Sequence, residues 1–187
     1  MPSLQSINQS LIDTNISEEI RNKIMCVDPN SHTPEDIIKV IEKMDLCLEK
    51  DQCLSIMEKE GCCKSGKRDK DCKKYAKENK NKTFTQRLDG ISSIQWMGNP
   101  HLNNDGTITT GVYWNENGVF RCACSTIKKL KGKKSISSTY CGCCAGHFMY
   151  HYENLLGVKL KLKEIVSSPL NTNGEKPCEF IFQVVEK

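Results

Sequence analysis

Residues Cys141–Phe182 read CGCCAGHFMYHYENLLGVKLKLKEIVSSPLNTNGEKPCEFIF, and this stretch decides the fold. It parses as a cysteine cluster, a helix, a strand, a turn and a second strand. From Cys144 to Leu156 the stripe Ala145, Phe148, Met149, Tyr152, Leu155 and Leu156 recurs at helical spacing. Gly157 stands at the usual left-handed stop. In residues 158–166 side chains alternate with period two. Val158, Leu160 and Leu162 share one face, and Lys159, Lys161 and Lys163 share the other. Strict alternation puts Glu164 on the apolar face with Val166. In the next strand Cys178, Phe180, Phe182 and Val184 share a face, and a hairpin across Pro169–Pro177 brings Glu164 and Cys178 close on the buried side. A carboxylate on a core face is costly unless it is paired, protonated or bound to a metal. A bend before Glu164 would instead release it to water, and the strand pattern leaves both readings open.

Upstream, Ile108, Thr110, Val112 and Trp114 alternate with Thr107, Thr109, Gly111 and Tyr113. Asn117-Gly118 signals a tight hairpin, with a return strand over Val119–Cys124 that points Phe120, Cys122 and Cys124 the same way. Ser135–Tyr140 reads as extended. Strand–strand–helix–strand–strand predicts an α+β fold, an antiparallel sheet with a packed helix. Residues 1–95 form an N-terminal helical segment and 96–187 the α+β domain, together one compact unit. In the helical segment Ile16, Ile20 and Ile24 recur every four residues behind a cap at Asn15 or Ser17. Thr33-Pro34-Glu35-Asp36 starts another helix with a capping hydroxyl, Pro at the first position and acids in the first turn. Further helices are expected from about Gln52 to Glu60, from Lys67 to Lys80 and from Thr83 to Ile91. The N-terminal helices are expected to cover an edge or the free face of the sheet.

At 187 residues the chain is long enough to bury a core without covalent staples. No apolar run approaches the ~20 residues of a membrane span, and the N-terminus lacks a basic start followed by an apolar block. A cytoplasmic protein is the expectation. Its twelve cysteines then argue for metal binding or redox chemistry more than for disulfides. Basic residues concentrate in 64–82 and at Lys128, Lys129, Lys131, Lys133 and Lys134. Neither run carries interleaved aromatics, which favours solvated surface over a nucleic-acid interface.

Cys122-x-Cys124 and Cys141-x-Cys143 are two pairs that could supply four thiolates to zinc or to an iron–sulfur cluster. Cys144, His147 and His151 share one helix face at i, i+3 and i+7, either as ligands or as histidines packed at a helix edge. Cys143 and Cys144 sit near a helix N-terminus, which lowers a thiol's pKa, with His147 or His151 as a possible base. Cys62, Cys63 and Cys72 form a weaker candidate centre, where lysines would favour thiolates.

The spacing of Cys141, Gly146, Gly157 and Glu164, followed by Gly174 and Cys178-Glu-Phe180, resembles the 4-vinyl-reductase-type domain, the ligand-sensing module of phenol-responsive bacterial activators. The extra cysteine pairs and N-terminal helices look like a cysteine-rich bacterial branch of that superfamily. This branch is also similar to proteins labelled as hydrolases of 2-amino-thiazoline-4-carboxylate. The resemblance implies zinc bound beside a ligand pocket by Cys141, Glu164 and Cys178. It departs at Ser167, where the family has a further cysteine, so that Cys143, Cys144, Cys122 or Cys124 would have to complete the site.

Together these readings lead to a small-molecule-binding or sensing domain with a cysteine-rich zinc site. Trp114, His147, Phe148, His151 and Tyr152 are the expected ligand-binding residues, and output passes through a homodimer or a signalling partner. The alternatives are a metal- or cysteine-dependent hydrolase and an iron–sulfur or redox protein.

Overall fold

The structure, a computed structural model, describes residues 2–61, 64–92, 94–127, 130 and 135–186. Cys62, Cys63 and the lysines at 128, 129, 131, 133 and 134 lie outside them.

Among the described residues six helices precede the sheet: α1 (Leu4–Asp13), α2 (Glu18–Ile24), α3 (Pro34–Cys47), α4 (Lys50–Met57), α5 (Gly66–Glu78) and α6 (Phe84–Ile91). Their starts follow local chemistry. The Ser17 hydroxyl accepts from the Ile20 N–H and the Thr33 hydroxyl from the Asp36 N–H. Thr83 and Gln86 form a reciprocal capping box. Helix α1, which the sequence reading does not single out, is capped by Ser3 and buries Leu4, Ile7 and Leu11. A 3-10 turn, Glu58–Glu60, extends α4 and ends at Gly61.

Strands β1 (His101–Leu102), β2 (Ile108–Val112), β5 (Lys159–Ser167) and β6 (Cys178–Glu186) make an antiparallel sheet in the order β1-β2-β6-β5. Helix α7 (Gly142–Leu156) packs on it and closes at Gly157, whose φ of 69° and ψ of 34° are left-handed. The fold is α+β, with the N-terminal helices gathered around α7. They leave the outer face of the sheet open, where Lys159, Lys161, Gln183 and Val185 are exposed. One apolar core joins Phe148, Tyr152, Phe180 and Phe182 to Leu54, Cys72, Leu88 and Ile91 of the helical segment. The other joins Ile7, Ile41, Met44 and Met57 to Ile136, Tyr140 and Cys143. Burial of each large side chain contributes roughly 1.5–3 kcal/mol.

Three expectations are corrected. Asn117-Gly118 does make a tight turn, with φ of 51° and 81°. It closes a separate two-stranded ribbon, β3 (Asn115–Glu116) with β4 (Val119–Phe120), while β2 pairs with β6. The return strand ends at Phe120, so Cys122 and Cys124 lie in irregular chain. Residues 135–137 are irregular and lead into a 3-10 turn, Ser138–Cys141, rather than an extended segment. In β5, Leu162 faces Phe182 while Glu164, two residues on, faces Ile181, one residue on. This bulge inserts an extra residue and re-phases the strand. Lys163 and Glu164 both point outward, and Ile165, 8% exposed, takes the inward place.

Helix α7 crosses the 3-10 turn at backbone contact. A Cβ at Gly142 would lie 2.6 Å from Met57 Cβ, and one at Gly61 would lie 2.6 Å from the Gly146 carbonyl carbon. Beside this crossing, Glu58 Oε2 accepts from the Leu162 N–H at 3.1 Å. Burial pushes the Glu58 carboxyl above its ordinary value of 4.5, against the pull of the Leu162 N–H and Lys161. A carboxyl whose folded pKa is raised favours the folded state below its unfolded pKa, and that contribution is lost as pH rises through the folded value. Glu58→Gln retains an acceptor for Leu162 and removes the charge. Its urea midpoint is expected to gain on that of the unsubstituted protein as pH rises from about 4 to about 7. A constant difference over that range would contradict this assignment.

Candidate functional site

Three segments deliver sulfur to one place. Cys141 ends the 3-10 turn before α7, Cys178 opens β6, and Cys122 lies in the chain after β4. The Cys178 thiol is within hydrogen-bonding reach of Cys122 and Cys141, and these neighbours together with burial drive its pKa far up. Cys141 and Cys178 are only 3% and 2% exposed. Each cysteine pair therefore gives one member to the cluster and sends the other elsewhere. Cys124 Sγ shares a hydrogen bond with the Tyr140 hydroxyl at 3.2 Å, and burial and this contact push the Tyr140 phenol up. Cys143 donates to Cys144, which lowers the Cys144 pKa against the opposing effects of burial and of Cys122. The described cysteines are all free thiols.

Next to the cluster lies a cavity of about 860 Å³. Cys124, Cys143 and Cys144 contribute to its wall, with His147 and Phe148 from the next turn of α7. Trp114 and Trp96 add aromatic walls, and Arg68 of α5 stands at its edge. A second cavity, of about 520 Å³, is lined by Cys122, Trp114, Phe120 and Leu170. Trp114 is thus shared between the two, and Cys122 and Cys124 open towards different ones.

Of the expected ligand-binding residues, Trp114, His147 and Phe148 line the larger cavity. Tyr152 is fully buried behind it, donating its hydroxyl to the Met97 carbonyl and accepting from Thr110 at 2.7 Å. His151 is also fully buried, and its Nδ1 shares a hydrogen bond with the Cys72 thiol at 3.3 Å. Burial, then Asp69 and Asp71, pushes the Cys72 thiol up to about 12, so the thiolate expected from the surrounding lysines is not favoured. His147 Nε2 accepts from Arg68 Nη1 at 3.5 Å. Arginine only donates, so in this contact the imidazole nitrogen is the acceptor.

Glu164 does not join the sulfurs. The β5 bulge places it on the exposed side, whereas Cys141 and Cys178 are buried. Ser167 is buried, and its hydroxyl donates to the Pro177 carbonyl at 2.8 Å, tying the base of the hairpin. The zinc set carried over from the resemblance is therefore not assembled. Among the described residues, no group of three or more His, Cys, Asp or Glu side chains is arranged to hold a metal ion as it stands. The donor chemistry still suits a soft ion, because Cys122, Cys141 and Cys178 are neighbouring thiols and Cys144 lies within electrostatic reach of Cys122. Glu164→Gln is expected to change stability by less than about 0.5 kcal/mol and to leave metal content unaltered. Metal analysis of the variant checks this.

The sequence does not mark Arg68 or Trp96 as site residues, and it places Cys72 and His151 in separate candidate clusters rather than together. Arg68 sits in a basic run that looks like solvated helix surface, and the Cys72 and His151 side chains meet across 79 positions of sequence. Comparisons with protein-family models, with curated proteins and with solved structures found no match for this chain. Among the described residues, no helix is long and apolar enough to cross a membrane.

Proposed function

We propose that this chain is a cytoplasmic small-molecule-binding or sensing domain in which a ligand cavity abuts a thiolate zinc site. The observation that carries this reading is the juxtaposition of the 860 Å³ cavity, walled by Cys124, Cys143 and Cys144, with the Cys122, Cys141 and Cys178 cluster. Cys122, Cys141 and Cys178 would hold the ion, and Cys144 or Cys124 would supply a fourth sulfur. Zinc supplies a fixed cross-link among three chain segments and a positive charge that makes thiolates of these buried thiols. The chain's own residues shape the cavity: Phe148 and Trp114 exclude water, and His147 presents a polar edge. With sensing as the role, output passes to a partner or a second copy.

Anaerobically purified protein is expected to carry about one zinc per chain, measured by inductively coupled plasma mass spectrometry. A fully folded protein without metal would overturn the zinc assignment. The same sulfurs also suit an iron–sulfur cluster. Brown protein with visible absorbance would favour that redox reading instead.

A further inference from the structure

We infer that the larger cavity takes a small planar organic anion, with its carboxylate on Arg68 and its flat body between Trp96, Trp114 and Phe148. This rests on the reading of the chain as a small-molecule-binding domain and names the ligand class.

The described wall of the cavity contains no Asp or Glu, and Arg68 is its one permanently charged group. Arg68 forms no ion pair with a carboxylate among the described residues. Its guanidinium instead lies 5.3 Å from the centre of the Trp96 ring, and its Nη1 donates to His147 at 3.5 Å. These contacts hold the side chain in place and use one of its five N–H donors, leaving the fork available for a bidentate carboxylate. On the same helix Lys73 bonds Asp69 and Lys67 bonds Asp71, each at 2.7 Å, so Asp69 and Asp71 are engaged by lysines rather than by Arg68. An unmatched cation at the edge of a concave, aromatic-walled space focuses positive potential into it. Asn99 and Ser92 add neutral polar groups to the wall. The aromatic walls suit a flat, rigid body.

The probes are 2-naphthoate and its neutral isostere 2-naphthamide, titrated into metal-replete protein with Trp fluorescence and calorimetry as readouts. Naphthoate is expected to bind at least about tenfold more tightly than the amide. Arg68→Met is expected to lose that preference, weakening naphthoate about tenfold and leaving amide binding unchanged. Arg68 is exposed, so the variant is expected to keep its circular dichroism and melting point. Trp114→Ala, at a partly exposed aromatic, is expected to weaken both probes. Equal binding of acid and amide, or an unchanged naphthoate affinity in Arg68→Met, overturns the charge assignment while keeping the cavity as a binding site. Failure of both probes to bind at millimolar concentration overturns the planar-ligand inference. The metal measurement stands apart from both results and alone decides the zinc site.

Discussion

Gly146→Ala is expected to destabilise the protein by about 3 kcal/mol and to lower its melting temperature by roughly 10 °C. The added Cβ would lie 2.1 Å from the Glu58 carbonyl oxygen and 2.8 Å from its carbon. Both atoms are backbone, so no side chain can rotate away, and relief requires α7 to lift from the 3-10 turn. That movement would disturb Cys143, Cys144 and His147, which sit on the same two turns of helix. Alanine's better helix propensity returns only about 1 kcal/mol. Urea denaturation compares the two proteins, and equal midpoints would show that α7 and the 3-10 turn are not in backbone contact.

The second large effect is expected for Cys178→Ser. A serine hydroxyl does not ionise at neutral pH and is a poor zinc ligand, so the zinc content should fall from about one per chain to near zero. The melting temperature should drop to that of chelator-treated protein, because binding and folding are coupled where the ligands come from separate segments. Cys26→Ser provides the control, since Cys26 is exposed and outside the cluster. It should retain full metal and an unchanged melting temperature. Retention of zinc by Cys178→Ser would place the ion elsewhere.

The sequence was readable where local chemistry decides the outcome. Thr33, Thr83 and Gly157 mark helix ends because capping depends on residues within a few positions. The strand β5 shows where such reasoning stops. Period two carried Glu164 inward, while the apolar residues themselves run Leu160, Leu162, Ile165, with a step of three after the second. That slip is the trace of the bulge, legible once apolar residues rather than alternation are followed. The turn at Asn117-Gly118 was equally plain, yet nothing near it encodes that β2 pairs with β6. The sulfur cluster was harder still. Spacing within C-x-C suggested intact pairs, whereas tertiary packing takes Cys122, Cys141 and Cys178 from three distant segments.

Along the chain β6 follows every other strand of the sheet, yet it lies between β2 and β5. Val112 pairs with Cys178, and no ladder joins β2 to β5 without β6. During synthesis the sheet therefore cannot close until residues 178–186 have left the ribosome. Until then β2 and β5 present open edges, and Phe148 and Tyr152 of α7 lack their ring contacts with Phe180 and Phe182. Long-range pairing of this kind is slow, and the waiting intermediate is the form of the molecule most exposed to aggregation. Cys178, the first residue of that strand, brings the last sulfur of the cluster at the same moment, so closure of the sheet and completion of the thiol site are one event in the life of the chain.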